Sequence, residues 1–190
     1  MKNEKKEPAN LFAERLLKCR TILCTSTVDD EMVESMAKQL FILQQEDSDA
    51  PIRVFLNSPG GSADSGFAIY DLLRFTKPKI LTVCSGICAS AAIMIFLGAD
   101  EGCRLSFPNS RFLLHQPSTT AQGSASDLQI TAKEIIKIRE RYNRIVGEHT
   151  GRSFESVTDD SARDFWLSPK EALKYGLVNR IISSSDELDG

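Results

Sequence analysis

The feature that most constrains the fold is a repeated alternation of β-branched runs with amphipathic segments of helical period. Residues 21–28, 52–56 and 79–85 are rich in Val, Ile, Leu and Thr, a composition typical of buried strands. Residues 29–45 and 67–73 place apolar side chains at three- and four-residue steps, which is typical of helices with one buried face. Strands that alternate with helices build mostly parallel sheets with right-handed crossovers, so the sequence predicts the α/β class.

The middle of the chain continues this pattern, with a predicted strand break at Gly86 and a buried helix of small and apolar residues from Ala89 onward. Residues 103–107 and 110–116 are predicted as two more strands around a Pro-Asn turn. Residues 117–126 are rich in Ser, Thr and Gly, which predicts a flexible loop after the fifth strand.

A long helix is predicted after that loop, with Ser126 or Asp127 as its N-cap and Gly151 beyond its end. Its apolar stripe consists of Leu128, Ile135, Ile138, Tyr142 and Ile145. The stripe can dock on the sheet of its own domain or face other subunits, and periodicity alone leaves both interpretations open.

Length and composition favour a single domain, because 190 residues that are 42% hydrophobic can bury one substantial core. We assign residues 1–18 to a mobile amino terminus and first helix, residues 19–183 to the domain and residues 184–190 to a flexible tail. Near the end of the domain, Ser168 opens a capping box with Pro at the first helical position, which predicts a short helix that Gly176 ends.

Charge and hydropathy exclude several classes of partner. The formal net charge is −3 and no run of Lys or Arg builds a phosphate-binding face, which argues against nucleic acid. The longest apolar stretch, residues 87–99, is shorter than the ~20 residues that cross a bilayer, so no membrane span is expected. The first ten residues lack the apolar region of a secretory signal, and we therefore expect a cytoplasmic protein.

The cysteines and histidines predict neither disulfides nor a metal site. Five cysteines, an odd number, are scattered over apolar stretches without a C-x-x-C pair, so we expect them to be reduced and buried. Two histidines without the usual ligand spacings do not build a typical zinc site. No metal and no cofactor is therefore expected.

Ser90 is the first candidate for catalysis, because it follows a strand and begins a buried helix. Backbone N–H groups and the positive end of the helix favour a developing anion there, which suits a nucleophile. A serine beside alanines is also common in tight helix packing. A suitable base nearby would separate the two interpretations.

His115 is the candidate base, because it ends an apolar strand, whereas His149 lies in a charged helix end. An imidazole base needs a carboxylate or carbonyl on its other nitrogen to fix its tautomer and orientation. The nearest candidates in sequence are Asp159, Asp160 and Asp164. Asp164 is favoured, because the apolar residues that follow it draw it against the core.

Gly60 and Gly61 lie between a strand and a helix, so their N–H groups can line a pocket for an oxyanion. A phosphate would also suit such a turn, but neither G-x-G-x-x-G nor G-x-x-x-x-G-K-[ST] is present. Cys88 is a rival nucleophile, although its apolar surroundings would raise the pKa of the thiol and favour a packed, inert side chain.

The sequence resembles the proteolytic subunits of the Clp protease, the ClpP family, from about residue 16 to residue 182. The resemblance is carried by NSPGGS (57–62), GICASAA (86–92), PNSRFLLHQP (108–117), HTGRS (149–153) and RDFWLSPKEALKYGLVNRI (163–181). It implies Ser90 as nucleophile, His115 as general base and Asp164 as orienting acid. Gly61 and Ala91 match the two backbone donors of the oxyanion hole.

The resemblance also implies an architecture and partners. The expected fold is ClpP/crotonase-like, with repeated ββα units and residues 117–150 as a handle loop and protruding handle helix. Two heptameric rings would stack into a tetradecamer, and an AAA+ unfoldase would feed peptide or unfolded protein substrates to the enclosed chamber. Phe55 and Phe75 would belong to the pocket where the unfoldase docks, and Arg163 to an inter-ring contact.

The chain departs from the family pattern at several positions. Ala91 stands where a methionine commonly follows the nucleophile, Ala162 replaces an acidic residue, and Arg53 replaces an aromatic of the docking pocket. The amino-terminal stretch is short and polar. Such departures are typical of a second ClpP paralogue that works in mixed rings.

Three functions from different classes follow. The first is a serine endopeptidase, which we expect. The second is a weakly active or structural paralogue in a mixed-ring complex with a related subunit. The third is a crotonase-like acyl-CoA enzyme that uses the same oxyanion pocket, but it lacks a clear glutamate pair and leaves the segment LLHQP unexplained.

Overall fold

One seven-stranded sheet organises the protein. The computed structural model describes residues 8–188, so the mobility predicted for residues 1–7 falls outside the described residues. The strands are β1 Thr21–Cys24, β2 Ile52–Ser58, β3 Ile80–Ala89, β4 Arg104–Ser106, β5 Arg111–Leu114, β6 Phe165–Leu167 and β7 Arg180–Ile181. The main path runs β1-β2-β3-β4-β7 in parallel, β5 pairs in parallel with β3, and β6 pairs antiparallel with β5. The sheet confirms the predicted α/β class.

Helices follow most of the strands, as the alternation predicted. They are α1 Pro8–Lys18, α2 Asp30–Glu46, α3 Ala63–Phe75, α4 Ala91–Leu97, α5 Ala125–Thr150, α6 Phe154–Asp160 and α7 Pro169–Tyr175. The main core lies between one face of the sheet and these helices, with α4 buried along its whole length. Leu81 and Val83 join a smaller cluster instead, because alternate side chains of β3 point to opposite faces of the sheet.

Strand β3 does not break at Gly86, and that prediction was wrong. The strand continues to Ala89, and its register with β2 shifts between Leu56 and Ser58. The side-chain carbonyl of Asn57 accepts the Ile87 N–H at 3.0 Å, in place of a backbone partner. A Cβ on Gly86 would collide with this Asn57 side chain. Gly86 is therefore required by a bulge inside the strand, which carries the chain on to Ser90.

Other boundaries also differ from the predictions. Strand β1 ends at Cys24, and Val28 makes only an isolated parallel bridge with Gly61. The N-cap of α5 is Ser124, whose hydroxyl accepts the Asp127 N–H while the Asp127 carboxylate accepts the Ser124 N–H. Helix α6 and strand β6 were not predicted. The capping box of α7 and the left-handed Gly176 at its end are as predicted.

The cysteines agree with the prediction except at one position. All five are free, and four are buried, but Cys19 is exposed. It follows α1 directly, where the chain has not yet entered the sheet. In the predicted tail, Ser185–Glu187 form a 3₁₀ turn and Leu188 packs against the smaller apolar cluster. No helix of residues 8–188 is long and apolar enough to cross a membrane.

The long helix α5 docks on its own domain over only part of its length. Its C-terminal half docks on its own domain, where Tyr142, Asn143, Val146 and Gly147 are buried. Its N-terminal half leaves Leu128, Ile130 and Ile136 exposed. Residues 118–130 are exposed throughout, so the loop and the start of α5 have few contacts within the chain. Docking on its own domain therefore accounts for the C-terminal half of the stripe, and the contact of the N-terminal half with other subunits stays a prediction.

Candidate active site

Ser90 occupies the sharp turn between β3 and α4. Its backbone has φ 56° and ψ −124°, and Ser90 and Arg20 are the two non-glycine residues of the described chain with positive φ. Such a conformation costs on the order of 1–3 kcal/mol and persists only when the surroundings hold it. Tight helix packing does not require such a backbone, so the strained turn favours the interpretation of Ser90 as a nucleophile.

Neighbouring elements hold this turn in place. The Ser90 N–H donates to the Leu113 carbonyl of β5 at 3.0 Å, and the Ser90 carbonyl accepts the Ile93 N–H at 3.0 Å. The Tyr142 hydroxyl of α5 donates to the same carbonyl at 3.5 Å. The sequence pattern places Tyr142 in an apolar stripe and does not reveal this contact, for which the tyrosine hydroxyl is the only signal in the sequence.

Gly60 makes the turn possible from the opposite side. Its φ is 94°, and a Cβ built on it would lie 2.7 Å from the Cβ of Ser90. Only glycine allows the backbone after β2 to approach the Ser90 turn this closely. Gly60 thus leaves room for the Ser90 turn, whereas the sequence pattern predicted a possible N–H donor to an anion at this position.

His115 follows β5 and Asp164 precedes β6, and the pairing of these two strands brings them together. Leu114 pairs with Phe165 in antiparallel register, so the next pair along the ladder is His115 and Asp164. The His115 Nδ1 lies 3.4 Å from the Asp164 Oδ1, with 27% of the His115 side chain exposed and 65% of the Asp164 side chain. Gln116 also ties the segment after β5 to the segment before β6. Its backbone N–H donates to the Ser161 carbonyl at 2.8 Å, and its side-chain amide donates to the Ala162 carbonyl at 3.0 Å.

The other titratable candidates have different partners. Asp160 accepts a hydrogen bond from the Tyr175 hydroxyl at 2.9 Å. Asp159 is exposed. His149 contacts the Tyr70 hydroxyl at 2.9 Å, and burial, helped by the positive charges of Arg104 and Arg74, lowers its pKa to about 4. Of the three aspartates considered, the structure therefore brings Asp164 to His115.

Ser90 and His115 line one cavity of about 300 Å³. Gly61 and Ala91 line it too. The bridge between Val28 and Gly61 uses the Gly60 carbonyl and the Ser62 N–H, so the Gly61 N–H takes no part in it. The Ala91 N–H is the first of α4, and the first N–H groups of a helix have no acceptor within it. Both donors predicted for the oxyanion hole thus lie at the wall of the cavity that holds Ser90.

Cys88 is poorly suited to act as the nucleophile. Its side chain is fully buried, and burial raises the pKa of its thiol well above the usual value. A thiol that stays protonated at neutral pH is a weak nucleophile. Among residues 12–188, no group of three or more His, Cys, Asp or Glu side chains is arranged to hold a metal ion.

The remaining predicted residues lie away from this cavity. Phe55 is half-buried beside Phe107, with ring centroids 6.3 Å apart, at the smaller apolar cluster. Phe75, at the end of α3, is 75% exposed. Arg163 is exposed and lines a shallow depression behind His115, together with Ala162 and Asp164.

Comparison with known proteins gives consistent results. The family model of the Clp proteases matches residues 4–185. The chain is 47% identical to the ATP-dependent Clp protease proteolytic subunit 2 of Pseudomonas aeruginosa, over 92% of this chain and 87% of that protein. It is 45% identical to proteolytic subunit 3 of Rhizobium meliloti, over 97% and 91%.

A solved structure agrees with the sequence matches. A point mutant of ClpP1 from Listeria monocytogenes superposes with a TM-score of 0.86 at 42% identity. The superposition covers 93% of this chain and 99% of that chain. On these grounds the chain belongs to the Clp protease family, a family of serine endopeptidases.

Proposed function

We propose that this chain is a catalytic subunit of a Clp protease that cleaves peptide bonds through Ser90, His115 and Asp164. One observation carries the proposal. Ser90 and His115 line the same cavity, and the Asp164 carboxylate lies 3.4 Å from Nδ1 of His115, the ring nitrogen that an orienting carboxylate must reach. Gly61 and Ala91 would supply the oxyanion hole.

The mechanism follows from these positions. The Ser90 Oγ attacks the peptide carbonyl carbon while His115 takes its proton, and the carbonyl oxygen becomes an oxyanion that the Gly61 and Ala91 N–H groups stabilise. His115 then gives the proton to the leaving amine as the C–N bond breaks, which leaves an acyl ester on Ser90. Water, deprotonated by His115, hydrolyses the ester and restores the serine. Asp164 stabilises the imidazolium form of His115 in both steps.

The proposed assembly is a pair of stacked heptameric rings served by an AAA+ unfoldase. Clp proteases generally form stacked rings and pair with such unfoldases. The exposed N-terminal half of α5 supports a contact between rings, in which Arg163 would take part, and Phe55 and Phe75 would receive the unfoldase. The substrates would be unfolded proteins, cut to short peptides in the cytoplasm.

A second candidate function is a weakly active subunit of mixed rings, completed by a paralogous subunit. Ala162 lacks the carboxylate expected for an inter-ring ion pair, and Arg53 replaces an aromatic of the docking pocket. The Asp164 carboxylate is 65% exposed, so packing within one chain holds it weakly. Family membership favours either peptidase role over a crotonase-like acyl-CoA enzyme.

Labelling with a fluorophosphonate tests the proposal. The probe phosphonylates a serine whose hydroxyl is activated by a base, and mass spectrometry locates the adduct. We expect label on Ser90 in the purified chain, or in the chain mixed with cell extract if a partner is needed. Label on another residue, or none under both conditions, would refute the assignment of Ser90 as nucleophile.

A further inference from the structure

Helix α5 contributes three side chains to the cavity beside Ser90. Ile135, Ile138 and Tyr142 all line it. Their spacing of three, four and seven residues places them on one face of the helix. Phe67 of α3 and Met94 of α4 complete the apolar wall. Such a wall fits an apolar side chain of the substrate, on the acyl side of the bond that Ser90 would attack.

We propose that the Tyr142 ring sets the largest substrate side chain that this cavity admits. The inference rests on the proposed peptidase function and extends it to specificity. The cavity's 300 Å³ must also hold the peptide backbone, because Gly61, Ser90 and Pro117 line it as well. A cavity of this size is at the lower end for ligand sites, so the space left for the side chain is small. We therefore expect side chains the size of Leu or Met to fit and an indole to be excluded.

The Tyr142 ring is fixed in place. Its side chain is buried, with 6% exposed, and its hydroxyl donates to the Ser90 carbonyl at 3.5 Å. Because a hydrogen bond of this length is weak, packing is what mainly holds the ring. The hydroxyl contact orients the ring toward the turn that carries Ser90. A tyrosine hydroxyl is protonated at neutral pH in any case, and burial raises the pKa of Tyr142 further above its usual value.

The backbone of α5 is also anchored at this point. Asn143, the next residue, is fully buried. Its side chain donates to the Thr158 hydroxyl at 3.0 Å and accepts from the Ser161 hydroxyl at 3.2 Å. These bonds fasten α5 to α6 and its C-cap, so a bulky substrate cannot displace Tyr142 by a shift of the helix.

The other walls of the cavity are less suited to set a limit. Met94 has a flexible thioether chain that adapts to its neighbours. Ile135 and Ile138 are half-buried near the free part of α5. Phe67 is buried under the Arg141 guanidinium, which lies 5.0 Å from its ring centroid, but no hydrogen bond ties it to the Ser90 turn. Tyr142 is the wall residue that contacts the nucleophile's own backbone.

Peptide substrates that differ only in one side chain test the proposal. A fluorogenic series carries Ala, Leu, Met, Phe or Trp on the acyl side of the cleaved bond, and kcat/KM is measured for each. The active assembly of the full chain is used, with its partner if one is required. We expect the wild-type chain to favour Leu over Trp by at least ~10-fold, within the range that pocket size gives.

Two variants separate the ring of Tyr142 from its hydroxyl. Tyr142→Phe keeps the ring and should keep the Leu/Trp ratio within about twofold. Tyr142→Leu removes the ring and should lower the ratio at least ~10-fold by a gain for Trp, whereas a purely structural loss would slow all substrates alike. If Tyr142→Leu does not assemble, Tyr142→Met is used instead, because it leaves a smaller void than Leu does.

The outcomes distinguish the specificity proposal from the function that it rests on. Cleavage of no peptide by the wild-type chain, without a Ser90 label, would refute the peptidase function itself. Cleavage with equal kcat/KM for Leu and Trp, or an unchanged ratio in the ring-deleting variant, would overturn the role of Tyr142 and leave the peptidase function standing.

Discussion

His115 and Asp164 lie directly beyond the last pair of an antiparallel ladder, Leu114 and Phe165, with Nδ1 and Oδ1 3.4 Å apart. The distance exceeds the 2.7–3.2 Å of a good N–H···O bond. Catalytic hydrogen bonds are often long before substrate binds and tighten in the complex. Strand β6 has three residues, and its pairing with β5 is what positions Asp164. The catalytic geometry proposed here therefore depends on a short edge strand.

Asp164→Asn tests this relationship. The variant keeps the shape of the side chain but removes the charge that would stabilise imidazolium, so turnover should fall by ~10³–10⁴ with little change in folding. Peptide hydrolysis and the urea midpoint are measured together. Asp159→Asn, at an exposed position in the same segment, serves as the control and should retain full turnover. Turnover at the wild-type level in Asp164→Asn would mean that another group orients His115.

Gly60→Ala tests the close approach at the Ser90 turn. The new Cβ would lie 2.7 Å from the Cβ of Ser90, so the turn must shift, and we expect labelling of Ser90 to be lost. Gly102→Ala is the matched control, because Gly102 also has positive φ but nothing within 4 Å of the new Cβ. Each variant should lose about 1–2 kcal/mol from backbone strain, but only Gly60→Ala should lose activity. Equal activity in the two variants would contradict the spatial role of Gly60.

His149 predicts a pH dependence of stability. Its pKa is about 4 in the folded chain and about 6.5 when unfolded, so the unfolded state binds the extra proton between these values. The free energy of unfolding should therefore decrease as pH falls from about 6.5 to 4, and His149 should contribute no dependence above that window. Urea midpoints at pH 7.5 and 5 measure the loss, which should be smaller in His149→Gln. If the wild-type chain and His149→Gln lose equal stability between pH 7.5 and 5, His149 is not the source of the pH dependence.

Ile130→Glu tests the exposed half of α5. Ile130 is 61% exposed within the chain, and a charge there should prevent burial against another ring. We expect smaller assemblies in analytical ultracentrifugation and a fall in peptide hydrolysis, with an unchanged urea midpoint. Ala132→Glu adds the same charge at an exposed residue on the opposite side of the same helix and controls for charge alone. Unchanged sedimentation of Ile130→Glu would show that this face lies outside the interface.

The pure chain should be weakly active and gain activity with a paralogous subunit or an unfoldase. Ala162 and Arg53 stand where the resemblance to the family implies an acidic residue of an inter-ring contact and an aromatic of the docking pocket. A coupling of ~1–3 kcal/mol between assembly and activity would change the active fraction by ~5–150-fold. Sedimentation and peptide hydrolysis are compared with and without candidate partners. Full activity of a pure double ring, with no gain from any partner, would contradict this expectation.

The sequence predicted the local features of the site well. The strand before Ser90, the helix after it and the glycine turn at Gly60 and Gly61 follow from patterns within a few residues. The roles expected for His115 and Asp164 came from the resemblance to a family, because no local pattern shows that two distant segments pair. The break predicted at Gly86 failed because the Asn57 side chain, far away in sequence, satisfies the backbone there.

The cap of α5 and the strand β6 were missed for related reasons. Several Ser residues precede α5, and the choice of Ser124 depends on the reciprocal bond with Asp127. Strand β6 has too few residues for a period-two pattern and exists because β5 is beside it. The contact of Tyr142 with Ser90 joins α5 to the turn before α4, and neither segment alone could predict it.

Hydrolysis of a fluorogenic peptide by the wild-type chain and by Ser90→Ala is the most direct test of the central claim. Both proteins are assayed alone and with the partner that gives the wild-type chain its highest rate, and their assembly is compared by sedimentation. We expect the variant to assemble as the wild-type chain does and to hydrolyse the peptide no faster than the partner alone. Equal hydrolysis by the two proteins would contradict the assignment of Ser90 as the nucleophile.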